Sequence, residues 1–189
     1  PGDKDGGKPI SEEGLKALLE AVKAGKGFVG IHAGNDAMRN PGGPPTEYIK
    51  MLGGEFKGHG AQQVATLKVV SPAFPGIDAI EGGNLTFNEE WYVNTNLSPD
   101  MQVILLQQTE GMKGDQYAIP AYPATWAKMY GKGRVYYNSL GHREDVWSNP
   151  TVQKVMAGGI KWAAGDAEYK VKPNIKEVCP KAFEQMGAK

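Results

Sequence analysis

The chain contains three histidines, His32, His59 and His142, and each stands beside glycine: Gly30-Ile-His-Ala-Gly34, Gly58-His-Gly60 and Leu140-Gly-His142. Glycine neighbours leave room for something to approach closely. Imidazole titrates near neutrality, so a cluster of three can give and take protons, and a neighbouring carboxylate can fix its tautomer. Glu89 and Glu90 lie in an alternating stretch that puts Glu89 on a face with Leu85, Phe87, Trp91 and Val93, and Glu90 on the other with Thr86, Asn88 and Tyr92. Two chemistries remain open for His32, His59, His142 and Glu90. One is general acid–base catalysis at a hydroxyl or keto group. The other is a divalent metal such as zinc, held by two or three of the histidines with a glutamate and polarising a carbonyl or a water, although no His-Glu-x-x-His signature is present.

The setting of His32 is the most telling of the three. Gly27-Phe-Val-Gly-Ile-His32 reads as a short buried strand, and Gly30-x-His32-x-Gly34 has the spacing of a sharp strand-to-helix elbow. Nucleophilic enzymes place Ser or Cys at the centre of that elbow. An imidazole there argues against an ordinary hydrolase or amidotransferase, and the lone Cys179 lies far away in the C-terminal tail.

The elements that must hold these residues follow from periodicity and caps. Ser11-Glu-Glu opens a helix with Leu15, Leu18, Leu19 and Val22 on one face, ended by Gly25 or Gly27. A Gly/Pro-rich loop over 35–45 is long enough to wall a site, and Thr46 to Leu52 reads as a helix stopped by Gly53-Gly54. His59 is expected in a loop. Strands are expected at Val64–Val70, Leu85–Val93 and Val103–Leu106, with one helical turn at Pro75–Ile80. Ala124–Tyr130 and Arg134–Tyr137 form an expected hairpin, and Pro150 starts a last helix ended by Gly165. Helix followed by buried strand predicts an α/β protein with a mostly parallel sheet and an added antiparallel hairpin. In such sheets sites lie beyond the strands' carboxyl ends, where His32 and His142 both fall. Residues 1–165 are expected to be one domain and 166–189 a lysine-rich tail with a short helix after Pro180; residues 1–9 read as a loop from the middle of a protein.

Composition narrows the function. Lys+Arg 21 balance Asp+Glu 21, which gives no field to recruit nucleic acid or an anionic membrane. A 40% hydrophobic, 22% charged chain is expected to be soluble and globular, with no membrane span, and one cysteine excludes an internal disulfide. The compartment stays open.

In order along the chain, Gly27-Phe-Val-Gly-Ile-His32, Leu52-Gly-Gly-Glu-Phe-Lys-Gly-His59, Glu89-Glu-Trp-Tyr92, Pro123-Ala-Thr-Trp126, Tyr130-Gly-Lys-Gly-Arg-Val-Tyr-Tyr137, Leu140-Gly-His142 and Gly159-Ile-Lys-Trp-Ala-Ala-Gly165 resemble the trehalose-utilisation (ThuA-like) family. That resemblance implies a flavodoxin-like, class I glutamine amidotransferase-like three-layer sandwich. It also implies a role in carbohydrate metabolism, acting on a disaccharide or an oxidised keto-glycoside. It carries His32, His142, Glu90 and His59 as catalytic candidates, with Glu90 the firmer of the two glutamates because the family's pair is commonly Asp-Glu. Tyr92, Trp126, Arg134 and Glu89 are candidates for substrate binding, each with an ordinary structural role as its competitor: core aromatics, a surface ion pair and a buried carboxylate. The family's first strand and its histidine loop have no counterpart before Ser11, which predicts an exposed sheet edge covered by a second copy or a partner. The competing function is a non-catalytic sugar-binding or assembly-subunit domain.

Overall fold

The structure, a computed structural model, describes residues 10–183; the expected loop over 1–9 and the end of the tail over 184–189 lie outside the described residues. Helix α1 (Glu12–Lys23) starts where Ser11 Oγ accepts the Gly14 N–H at 3.0 Å, and the acids Glu12 and Glu13 occupy its first turn. Strand β1 (Phe28–Ile31) follows directly and runs into a single 3₁₀ turn, His32–Asn35. Helix α2 (Glu47–Leu52) is capped by Thr46 and stopped by Gly53 at φ 95°. Then come β2 (Glu55–His59), β3 (Gln63–Val69), β4 (Asn84–Glu89), β5 (Tyr92–Thr95), β6 (Gln102–Gln107), β7 (Tyr122–Tyr130) and β8 (Gly133–Asn138). The short α3 (Glu144–Trp147) leads to α4 (Pro150–Ala164), whose cap Asn149 accepts the Thr151 and Val152 N–H groups, and α5 (Ile175–Val178) lies near the C-terminus.

Six strands form one sheet in the order β1-β8-β7-β6-β3-β4. Among the described residues only β1 and β8 pair in parallel; every other neighbouring pair of the sheet is antiparallel. The expected mostly parallel sheet is therefore corrected to a mixed one. A parallel neighbour needs a crossover, usually helical, and among the described residues no α-helix lies between β3 and β8, so these strands return as antiparallel neighbours. The hairpin β7–β8 forms as expected around Gly131-Lys132.

Two strand expectations also change. Residues 55–59 form β2 rather than a loop, pairing with β5 in a separate two-stranded ribbon with a bulge between Phe56 and Gly58. The stretch 85–93 breaks at Glu90-Trp91, so that β4 belongs to the large sheet and β5 to the ribbon. Glu90 stands at the junction.

Helices cover both faces of the sheet around β8. On one face Tyr136 lies against α4, where a Cβ on Gly159 would come within 2.3 Å of its ring. On the other, Tyr137 stacks on Trp126 with ring centroids 4.3 Å apart, and Leu52 of α2 closes over Gly30. Beyond α4, Asn174 grips β6, accepting the Val103 N–H at 2.7 Å and donating to the Val103 carbonyl at 3.1 Å. The C-terminal helix falls before Pro180, as α5, and residues 181–183 are a turn. Among the described residues no helix is long and apolar enough to cross a membrane.

Candidate active site: three histidines around one glutamate

Parallel pairing with β8 sets Ile31 opposite Asn138, so His32 leaves the sheet beside Ser139. Gly30 lets α2 close in, because a Cβ there would lie 2.8 Å from Leu52 Cδ1. The strain of the elbow falls on His32 itself, which sits at φ 44°, whereas Gly34 keeps an ordinary φ with nothing near a Cβ position. The His32 carbonyl accepts the Tyr137 hydroxyl at 2.8 Å, and its Nδ1 lies 2.7 Å from the Ser139 carbonyl oxygen. A carbonyl only accepts, so Nδ1 carries hydrogen and Nε2 faces Glu90 Oε2 at 3.0 Å.

Glu90 is the hub. Besides His32, its Oε2 lies 3.3 Å from His142 Nδ1 and its Oε1 lies 3.3 Å from His59 Nδ1. The four predicted catalytic residues, His32, His59, His142 and Glu90, thus meet at one carboxylate. The side chains of Glu90 and His32 are 12% and 10% exposed, against 42% and 41% for His59 and His142, so the carboxylate forms a floor with two imidazoles open to solvent.

Glu89 faces the other way and is fully buried. Its Oε1 accepts the Glu90 N–H at 2.8 Å, and its Oε2 accepts the N–H groups of Gly141 and His142 at 3.0 and 3.2 Å. It therefore positions the His142 loop against Glu90 and has no free lone pair facing solvent. His59 arrives on β2, directly opposite Tyr92 of β5, and its Nδ1 also lies 2.9 Å from the Gly60 carbonyl. Tyr92 lies between the histidines, 4.0 Å from the His32 ring and 6.0 Å from the His59 ring. Burial, and then the charge on Glu90, push its phenol well above the usual 10.0, so Tyr92 is a neutral donor at ordinary pH.

Trp126 and Arg134 are not brought to this cluster. Trp126 is fully buried, donating its indole N–H to the Leu52 carbonyl at 2.8 Å. Arg134 sits at the far end of β8, donating to the Trp162 and Ala167 carbonyls, both at 3.1 Å, and so fastens the end of α4. Two contributors carry no sequence signature. Ser139 acts through its main-chain carbonyl, which any residue has. Tyr117 holds the His59 loop by accepting the Gly60 N–H at 2.8 Å while donating to the Trp91 carbonyl at 2.7 Å, a link across 57 residues.

His32, Glu90 and His142 each offer one ligand atom, all within 4.8 Å of one another. A histidine anchored by Nδ1–H to a carbonyl presents a lone pair at Nε2, the arrangement that orients imidazole towards a cation. The donor set fits a divalent metal as well as it fits proton transfer.

The fold and this site can be set beside known proteins. The sequence profile of the trehalose-utilisation family, ThuA, matches residues 3–163. A ThuA-like protein from Bacteroides uniformis ATCC 8492 superposes with a TM-score of 0.67 at 19% identity, over 82% of this chain and 65% of that one. A second, from Parabacteroides merdae ATCC 43184, gives 0.62 at 18% identity, over 89% of this chain and 71% of the other. A β-galactosidase from Bacillus circulans sp. alkalophilus gives 0.55 at 17% identity, over 87% of this chain and 22% of the enzyme. These identities show likeness of fold, and the chain spans 65% of the length of the Bacteroides protein. No curated protein matches. With the profile covering most of its length and its fold shared with ThuA-like structures, the chain belongs to the trehalose-utilisation (ThuA) family.

Proposed function

We propose that this chain carries the proton-transfer site of a carbohydrate-acting enzyme whose substrate is a disaccharide or its keto-glycoside form. The observation that supports this reading is the convergence of His32, His142 and His59 on Glu90, within 3.0–3.3 Å. A sugar hydroxyl set against His142 or His59 can give its proton to the imidazole, with Glu90 stabilising the imidazolium that forms. His32, locked by the Ser139 carbonyl, holds Glu90 in place. The same groups run in reverse protonate a carbonyl oxygen. His32→Ala is expected to abolish turnover of keto-trehalose or trehalose while circular dichroism and melting temperature stay close to those of the parent. Full activity in that variant overturns the reading.

A metal-assisted version is favoured by the His32, Glu90 and His142 atoms lying within 4.8 Å of one another. A divalent ion held by them would supply a Lewis acid at the sugar oxygen. Elemental analysis of protein purified without added metal, and its loss from His142→Ala, tests that version. The non-catalytic alternative draws on the likeness to a 22% segment of a β-galactosidase. It predicts saccharide binding without turnover in the unaltered protein. Strand β1 pairs with β8 alone among the described residues, which supports a second copy or partner strand covering its free edge.

A further inference from the structure

Three of the four tryptophans, Trp91, Trp126 and Trp162, are sealed in the core at 1% exposure or less; Trp147, at the end of α3, is 43% exposed. Single exposed apolar residues are ordinary on protein surfaces, so exposure alone says little. The mounting of this indole says more. Its Nε1–H donates to the Gly141 carbonyl at 2.8 Å, and the N–H of the same glycine is the one that Glu89 accepts at 3.0 Å. Gly141 lies at φ +130°, and a Cβ there would come within 3.1 Å of Trp147 Cζ2 and 3.2 Å of Ile31 Cγ2. The indole is therefore fixed on Gly141, the residue that immediately precedes His142, and the same glycine lies close to Ile31, which immediately precedes His32. A large rigid ring has been fixed beside the backbone that carries His142, with part of its apolar surface left in water.

We infer that Trp147 is the stacking platform for the sugar ring that the His32–Glu90–His142 cluster acts on, and that it makes the site selective for cyclic saccharides. This rests on the carbohydrate reading above. A pyranose has a rim of hydroxyls and a face of C–H bonds. The imidazoles and Glu90 suit the rim, while an indole, whose contact area carries little side-chain entropy cost, suits the face. An open-chain polyol offers the same hydroxyls with no such face, so it gains nothing from Trp147.

The test uses the full chain, titrated with trehalose, keto-trehalose and the open-chain polyol sorbitol, followed by calorimetry and by tryptophan emission with acrylamide quenching. The expected result is saccharide binding that shifts the emission and shields it from acrylamide, with sorbitol inert. Trp147→Ala is expected to weaken saccharide binding roughly tenfold and Trp147→Phe to restore most of it. The emission and quenching readouts come from the unaltered protein and hold even if Trp147→Ala fails to fold. Calorimetric binding with unchanged emission and quenching, or equal affinity in Trp147→Ala, overturns the inference while leaving the carbohydrate reading intact. No saccharide binding by the unaltered protein overturns both.

Discussion

Glu89 and Glu90 are identical side chains one peptide bond apart, and alternation along the strand sends them to opposite duties. Glu89 turns inward and accepts three backbone N–H groups; Glu90 turns outward to three imidazoles. Glu89→Ala would leave those three buried donors without their acceptor. At about 1–3 kcal/mol for each unsatisfied group, with some relaxation of the loop, unfolding in urea is expected to show a loss of about 3–5 kcal/mol. Glu89→Gln, which keeps one accepting oxygen, should lose less; an Ala variant as stable as the parent would mean the loop does not depend on this carboxylate. At this scale much of the site was legible. Glycine beside each histidine picked out the three imidazoles that meet, and the family resemblance chose Glu90 from the acidic pair straddling two strand faces. Trp126 and Arg134 were not separable in the same way, because a residue's type does not say which end of its strand faces the cluster. Trp126 is closed in by Leu52 and Tyr137, and Arg134 serves the far end of β8.

Among the elements, caps carried the most information. Ser11, Thr46 and Pro150 mark three helix starts, and Gly53 and Gly165, both at φ 95°, mark two stops. The elbow was legible as an elbow, but its glycines gave no sign that the positive φ belongs to His32. Gly34→Ala is therefore expected to stabilise the fold by about 0.4–1 kcal/mol, through the unfolded chain, as read from the denaturation midpoint. The contrasting case is Gly158 of α4, where a Cβ would lie 2.1 Å from the Pro75 carbonyl oxygen. Backbone cannot give way there as a side chain can, and Gly158→Ala should cost at least about 2 kcal/mol in the same measurement. The break between β4 and β5 left no trace in the alternation, which continues through Glu90-Trp91 as though one strand ran on. It is a tertiary event, made when β2 captures residues 92–95 into the ribbon.

For the molecule as a whole, helices alternating with buried strands announced an α/β protein, but strand direction depended on where crossovers fall. Among the described residues one crossover pair exists, β1 with β8, and so one parallel pair. The same dense packing buries several phenols. Burial lifts Tyr48 from 10.0 to about 12, and lifts Tyr122, Tyr136 and Tyr137 as well. Each holds its proton in the folded state at pH values where the unfolded chain has lost it. The stability these groups contribute is complete below about pH 10 and falls as pH rises towards 12 and beyond. The melting temperature should drop steeply over that range, with phenolate absorbance rising together with unfolding. Phenolate formed fully before unfolding would contradict the burial. The parallel pair has a further consequence, in the order of assembly. The hairpin β7–β8 joins neighbours two residues apart, whereas the bond from His32 to Ser139 spans 107. Contacts of long separation wait on the closure of a large loop. During synthesis the elbow emerges before β8 and stays without its Ser139 anchor until β8 has left the ribosome, so the histidine cluster assembles only after all the strands between them have emerged.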